Sequence, residues 1–149
     1  MDKYKILNSR ELKKFQELVE KQFGARFPSE YVFLENGTKF YISNREVFDF
    51  DASELRVNSL GLYIAEVKGM DIRLSVEGSQ MIGPNATKNV LSIDDSQLKE
   101  WLRGNELESS EDFKGFVIIK HDNDFFACGK NVKGRILNYL PKTRRINCA

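Results

Sequence analysis

Few residues in this chain could do covalent or acid–base chemistry. The single histidine, His121, stands beside Asp122 and Asp124, a grouping that could make it a general base. It lies between two apolar runs with no nucleophile near it in sequence, so it reads more simply as a solvated turn residue. Cys128 falls inside FFACGK, an aromatic-rich run in which a lone cysteine serves as a small core hydrophobe. Gly129-Lys130 is not a phosphate loop. That motif needs glycine at 124 and Ser or Thr at 131, where this chain has Asp124 and Asn131. No G-x-G-x-x-G occurs, so no dinucleotide or methyl-donor loop is legible. Cys128 and Cys148 form no C-x-x-C and imply neither a disulfide framework nor a zinc site. No catalytic residue, cofactor or metal is expected.

The cations are more informative. The net charge is +1, but the 36 residues from Lys114 onward hold eight basic and two acidic side chains, a local +6, against −5 for the rest. A concentrated positive end attracts polyanions, and an acidic remainder limits indiscriminate adhesion. Lys130, Lys133 and Arg135 straddle a glycine-containing turn. Lys142, Arg144 and Arg145 follow Pro141 in NYLPKTRRI. These last three lack carboxylates nearby in sequence, so they are expected to be exposed and nearly irrelevant to stability. Lys99 and Arg103 are four apart, on one face of a helix. Long cations on a rigid surface are what phosphate neutralisation needs; an ordinary solvated surface is the plainer alternative. Tyr139 could stack a base, although an aromatic in ILNYL is more often core.

The elements that must carry these residues give an α+β chain. Asn8 is an N-cap with Glu11 three residues into the helix, Leu12, Phe15, Leu18, Val19 and Phe23 follow at helical spacing, and Gly24 is a stop. YVFLENGTKFYIS reads as a hairpin around Asn36-Gly37, and SNRE (43–46) as a capping box opening a short helix through Val47, Phe48 and Phe50. LGLYIAEV is a strand turned by Lys68-Gly69. SVEGSQMIGPNA is a short helix broken at Gly83-Pro84. The expected domains are residues 1–87, α+β, and 88–149. The second has a short strand NVLSI, a helix capped by Asp94 or Asp95 and ended by Gly104, a polar connection ELESSEDFK, the strands GFVIIK and DFFACG joined at 121–123, and a last strand KGRILNYL. Strand, helix and then several strands suggest a small, partly open β-barrel with one packed helix.

That second half resembles the PUA domain, the RNA-binding barrel of pseudouridine synthases and archaeosine transglycosylases. The resemblance is carried by Leu102-Arg103-Gly104 followed by Leu107, by GFVIIK with its leading Gly115, and by ACGK. The stretch VNSLGLYIAEVKGMDIRLSVEGSQMIGPNA before it resembles the front half of the Nip family of large-subunit ribosome biogenesis. The tail KNVKGRILNYLPKTRRI resembles the ends of archaeal PUA proteins and of Sun-type RNA cytosine methyltransferases. The resemblance implies a non-catalytic RNA-binding accessory protein of rRNA maturation, ribosome assembly or RNA modification. Its partner would be rRNA or tRNA, gripped by Lys99, Arg103, Lys130, Lys133, Arg135, Lys142, Arg144 and Arg145. The acidic front half suits a protein partner. An RNA-modifying enzyme using His121, or an adaptor for an acidic protein, are the alternatives. No run approaches the roughly 20 apolar residues of a membrane helix, and MDKYKILNSR has no signal-peptide core. A cytoplasmic protein with no membrane partner is expected.

Overall fold

The computed structural model describes residues 4–45 and 61–146. The helix expected at Val47 to Phe50 lies outside the described residues. The first half opens with strand β1 (Lys5–Ile6) and helix α1 (Ser9–Phe23). Asn8 and Glu11 form the reciprocal capping box, and Gly24 closes the helix at φ +72°. Thr87 packs so closely there that a Cβ on Gly24 would lie 1.9 Å from its hydroxyl. Strands β2 (Val32–Asn36), β3 (Lys39–Ser43), β4 (Leu62–Lys68) and β5 (Asp71–Leu74) complete an antiparallel sheet ordered β1-β2-β3-β4-β5. Both tight hairpins turn one residue later than their sequences suggested. Asn36 still pairs with Lys39 and Lys68 with Asp71, leaving Gly37-Thr38 and Gly69-Met70 as the loops, each with its glycine at positive φ.

Helix α2 (Val76–Ile82), capped by Ser75, leads through a 3₁₀ turn at Gly83–Asn85 to the second sheet. That sheet holds β6 (Val90–Ser92), β7 (Leu107–Glu108), β8 (Phe116–His121), β9 (Asp124–Val132) and β10 (Arg135–Asn138), ordered β6-β8-β9-β10-β7. It is a curled half-barrel, parallel only between β6 and β8. Helix α3 (Asp95–Leu102), capped by Asp94 and Gln97, packs on it through Trp101. The segment that reads as a purely polar connection contains β7, which pairs with β10 through Leu107 and Ile136.

The second sheet is buried on both faces, which is why GFVIIK is a continuous apolar run. Phe116 and Ile118 of β8 join a core with Phe15, Val19, Phe23 and Ile72 of the first half. Val117 and Ile119 point the other way, toward Trp101, Leu107 and Ile136. Strict alternation fails in β9, where a bulge sets Phe126 and Ala127 opposite the single Ile119. Phe125 and Cys128 thereby both face the first half, while Phe126 and Ala127 both face α3. The peptide unit joining Phe126 to Ala127 is held at both ends. Its carbonyl accepts from Trp101 Nε1 at 3.0 Å, and its N–H donates to Ser79 Oγ of α2 at 2.9 Å. Ala127 sits at φ +61°, a left-handed conformation costing about 1–2 kcal/mol for a residue with a Cβ, and these two bonds help to hold it. Gln22 also crosses the seam, its amide donating to Lys114 O at 2.5 Å and Phe116 O at 2.7 Å.

Removing the Ser79 hydroxyl leaves the Ala127 N–H buried without an acceptor. Ser79→Ala should therefore destabilise the chain by about 1–3 kcal/mol. Thermal unfolding followed by the fluorescence of Trp101, the only tryptophan, measures this directly, and an unchanged melt would contradict the role given to that bond.

Candidate nucleic-acid interface

The eight cations proposed from sequence fall into three places. Around the C-terminal end of α3 lie Lys99, Arg103 and the segment 142–146. The tail is tied there by Ile146 N donating to Leu102 O at 2.6 Å and by Asn138 Nδ2 donating to Trp101 O and Asn105 O. The exposed carbonyls of a helix end favour cations. At the β9–β10 turn stand Lys133, at φ +53°, and Arg135. Lys130 is apart from both, half-buried at the seam between the two sheets.

Their availability differs. Arg135 grips Glu106 through two guanidinium nitrogens at 2.6–3.0 Å, and that carboxylate raises its pKa. Arg103 pairs with Glu100 at 3.2 Å. Arg144 reaches back to Glu77 at the start of α2. Arg145 is half-buried, donates from Nε to Leu140 O at 3.0 Å and lies over Gly104, where a Cβ would come within 2.8 Å of its side chain. The basic tail is thus in part a clasp onto α2 and α3, contrary to the expectation that all three of its cations are exposed and structurally idle. Lys99, Lys130, Lys133 and Lys142 have no carboxylate partner among the described residues.

Sequence reasoning missed Arg73 and misjudged Tyr139. Tyr139 is 36% exposed, its ring edge-on to Phe116 at 5.3 Å. The Arg73 guanidinium stands 5.2 Å from the Tyr139 ring centre, and Lys130 Nζ stands 5.6 Å from that of Phe116. The only sequence signal for Tyr139 was its phase: it lies three residues after the inward-facing Ile136, on the opposite face of the chain.

The other candidate chemistry is structural. Cys128 is fully buried, and burial pushes its thiol pKa up to about 12, the reverse of an activated nucleophile. His121 is not a free turn residue. Its Nε2 meets Asp95 Oδ1 at 2.6 Å, with Asp122 3.8 Å from Nδ1, and only 14% of the side chain is exposed. The hydrogen bond to Asp95, aided by the nearby carboxylates, raises its pKa above 6.5. The pair ties the end of β8 to the first turn of α3.

A raised histidine pKa stabilises the folded state fully below the unfolded value, near 6.5, and this contribution disappears as pH rises through the folded value. Asp95→Asn should therefore lower the melting temperature most in acid and least at about pH 9. The same decrement at both pH values would show that the carboxylate acts without His121.

Residues 88–146 match the family described as the methyltransferase RsmF PUA domain. Among curated proteins, ribosomal RNA small subunit methyltransferase F of Vibrio cholerae (serotype O1, strain M66-2) is 26% identical, over 83% of this chain and 26% of that protein. The enzyme of the same name from Aeromonas salmonicida is 28% identical over 60% of this chain and 19% of that protein. That from Shewanella oneidensis is 23% identical over 89% and 28%. The chain spans about a quarter of the length of the first of these relatives, and the longer alignments extend beyond residues 88–146 into the front half. The second half thus resembles the PUA domain of the Sun-type rRNA methyltransferases.

Proposed function

We propose that this chain binds RNA without itself catalysing a reaction, in the setting of rRNA modification or ribosome assembly. The observation that carries this reading is the match of residues 88–146 to the PUA domain of an rRNA methyltransferase family. The same half presents Lys99, Lys130, Lys133 and Lys142 without carboxylate partners among the described residues. Such lysines can exchange condensed counterions for phosphate. Arg103, Arg135, Arg144 and Arg145 contribute less in this reading, because a carboxylate or a backbone carbonyl already holds each of them. The relatives, named as methyltransferases of small-subunit rRNA, favour rRNA as the partner. The front half, nearly neutral with 12 basic and 13 acidic side chains in residues 1–87, offers a surface for a protein partner. Against a catalytic reading, the hydrogen bond between His121 and Asp95 serves the packing of α3 on β8.

If four lysines neutralise phosphates, the log–log slope of affinity for single-stranded RNA against salt should be about −3, and each lysine replaced by glutamine should reduce its magnitude by about 0.7. Fluorescence anisotropy on a single-stranded segment of small-subunit rRNA, across about 50–200 mM salt, measures both quantities. A slope near zero would contradict the reading and favour an adaptor for an acidic protein.

A further inference from the structure

The bulge in β9 decides what lines the seam. With Cys128 turned toward the first half, Lys130 two residues later faces the same way. Its pairing partners are Phe116 on β8 and Leu137 on β10. Tyr139, two residues beyond Leu137, lies against Phe116 on this face. From the first half, the β4–β5 hairpin brings Glu66, Lys68, Asp71 and Arg73 to the same place. Together these side chains line a cleft of about 140 Å³. Past Tyr139 and Arg73 it continues into a second hollow of about 190 Å³, bordered by Tyr63, Pro141 and Arg144.

The order of groups along this cleft is cation, ring, ring, cation: Arg73 over Tyr139, Tyr139 edge-on to Phe116, and Lys130 over Phe116. Glu66 fixes Arg73 at 3.0 Å and also accepts from Thr38 Oγ1 at 3.0 Å, so the guanidinium is oriented beforehand. An apolar peptide seated here would desolvate Lys130, which has no carboxylate partner among the described residues, and would cover Lys68 and Arg73 beside their shared partner Glu66, a costly exchange. A nucleotide matches both features, because a base has a flat face to stack on the ring or the guanidinium and its phosphates are anionic.

We infer that the seam is a composite cleft for single-stranded RNA, in which an unpaired base stacks on Tyr139 beside Arg73 and the flanking phosphates meet Lys130 and Lys68. The front half is then part of the recognition surface and not only a support for the PUA domain. This inference rests on the RNA-binding reading above and adds to it the location of the site and the single-stranded form of the ligand.

The test uses the full chain and a fluorescein-labelled single-stranded RNA oligonucleotide of mixed uridine and adenosine, with an RNA duplex of the same length beside it. Tyr139→Ala should weaken single-strand binding about 5- to 100-fold and affect the duplex far less, while Tyr139→Phe keeps the affinity of the parent. Arg73→Lys preserves charge but loses the planar fork. It should also weaken binding at least about fivefold, the lower end for one stacked base, and it keeps the test decisive if Tyr139→Ala fails to fold. If the parent binds the oligonucleotide and both Tyr139→Ala, where folded, and Arg73→Lys bind it equally well, the cleft is wrong and the RNA-binding reading stands on the other lysines. If the parent shows no salt-dependent RNA binding, that reading fails and the cleft falls with it. Poly-glutamate binding that these variants abolish while RNA binding is unaffected would overturn the inference in favour of an acidic protein segment.

Discussion

One peptide unit, between Phe126 and Ala127, determines how the two halves of this molecule face one another. A strand in perfect alternation would send Phe125 and Cys128 to opposite sides of the sheet. The bulge sends both to the first half and leaves two consecutive residues for the α3 side. Trp101 donates to the carbonyl of that unit and Ser79 accepts from its N–H, from opposite directions. The side-chain phase of the rest of β9 follows. Gly129 lies where a Cβ would strike Ile136 and Trp101, and Lys130 emerges at the seam. A shift of one residue would bury the lysine against Trp101 and open the glycine to the cleft. Core packing and the candidate binding surface thus depend on a single register.

The basic end of the chain answers to two demands. Charge counted along the sequence suggests a uniform cationic patch, but in the folded chain half of the eight predicted cations already have partners. Arg144 and Arg145 hold the tail across α2 and α3, and Arg135 is neutralised at the β9–β10 turn by Glu106. Exposed pairs of this kind contribute little to stability one at a time. Their effect here is geometric: they seat Pro141, Thr143 and Arg144 along the far edge of the cleft beside Tyr139. The four lysines remain to meet a polyanion, and one of them, Lys130, lies in the cleft itself.

What was legible in the sequence was local. The capping box at Asn8, the cap at Asp94 or Asp95, the stop at Gly24, the hairpins and the apolar strand at Phe116–Ile119 all express interactions over a few residues. The unread features depend on contacts far apart in the chain. Strand β7 is only two residues long and exists because β10 pairs with it. Arg144 finds Glu77 across 67 positions, and Arg135 finds Glu106 across 29, so a scan for nearby carboxylates could not place them. The bulge leaves no signature in FFACGK beyond an alanine where glycine is the usual occupant of a positive φ. Arg73 looked like an ordinary strand residue until the second sheet placed Tyr139 under it.

The most direct measurement is a map of backbone amide chemical shifts of the full chain titrated with a short single-stranded RNA at moderate salt. The account predicts that the largest changes fall together on residues 68–73 of the first half and on Phe116, Lys130 and Tyr139 of the second. A map confined to α3 and the β9–β10 turn, with the β4–β5 hairpin unmoved, would contradict it.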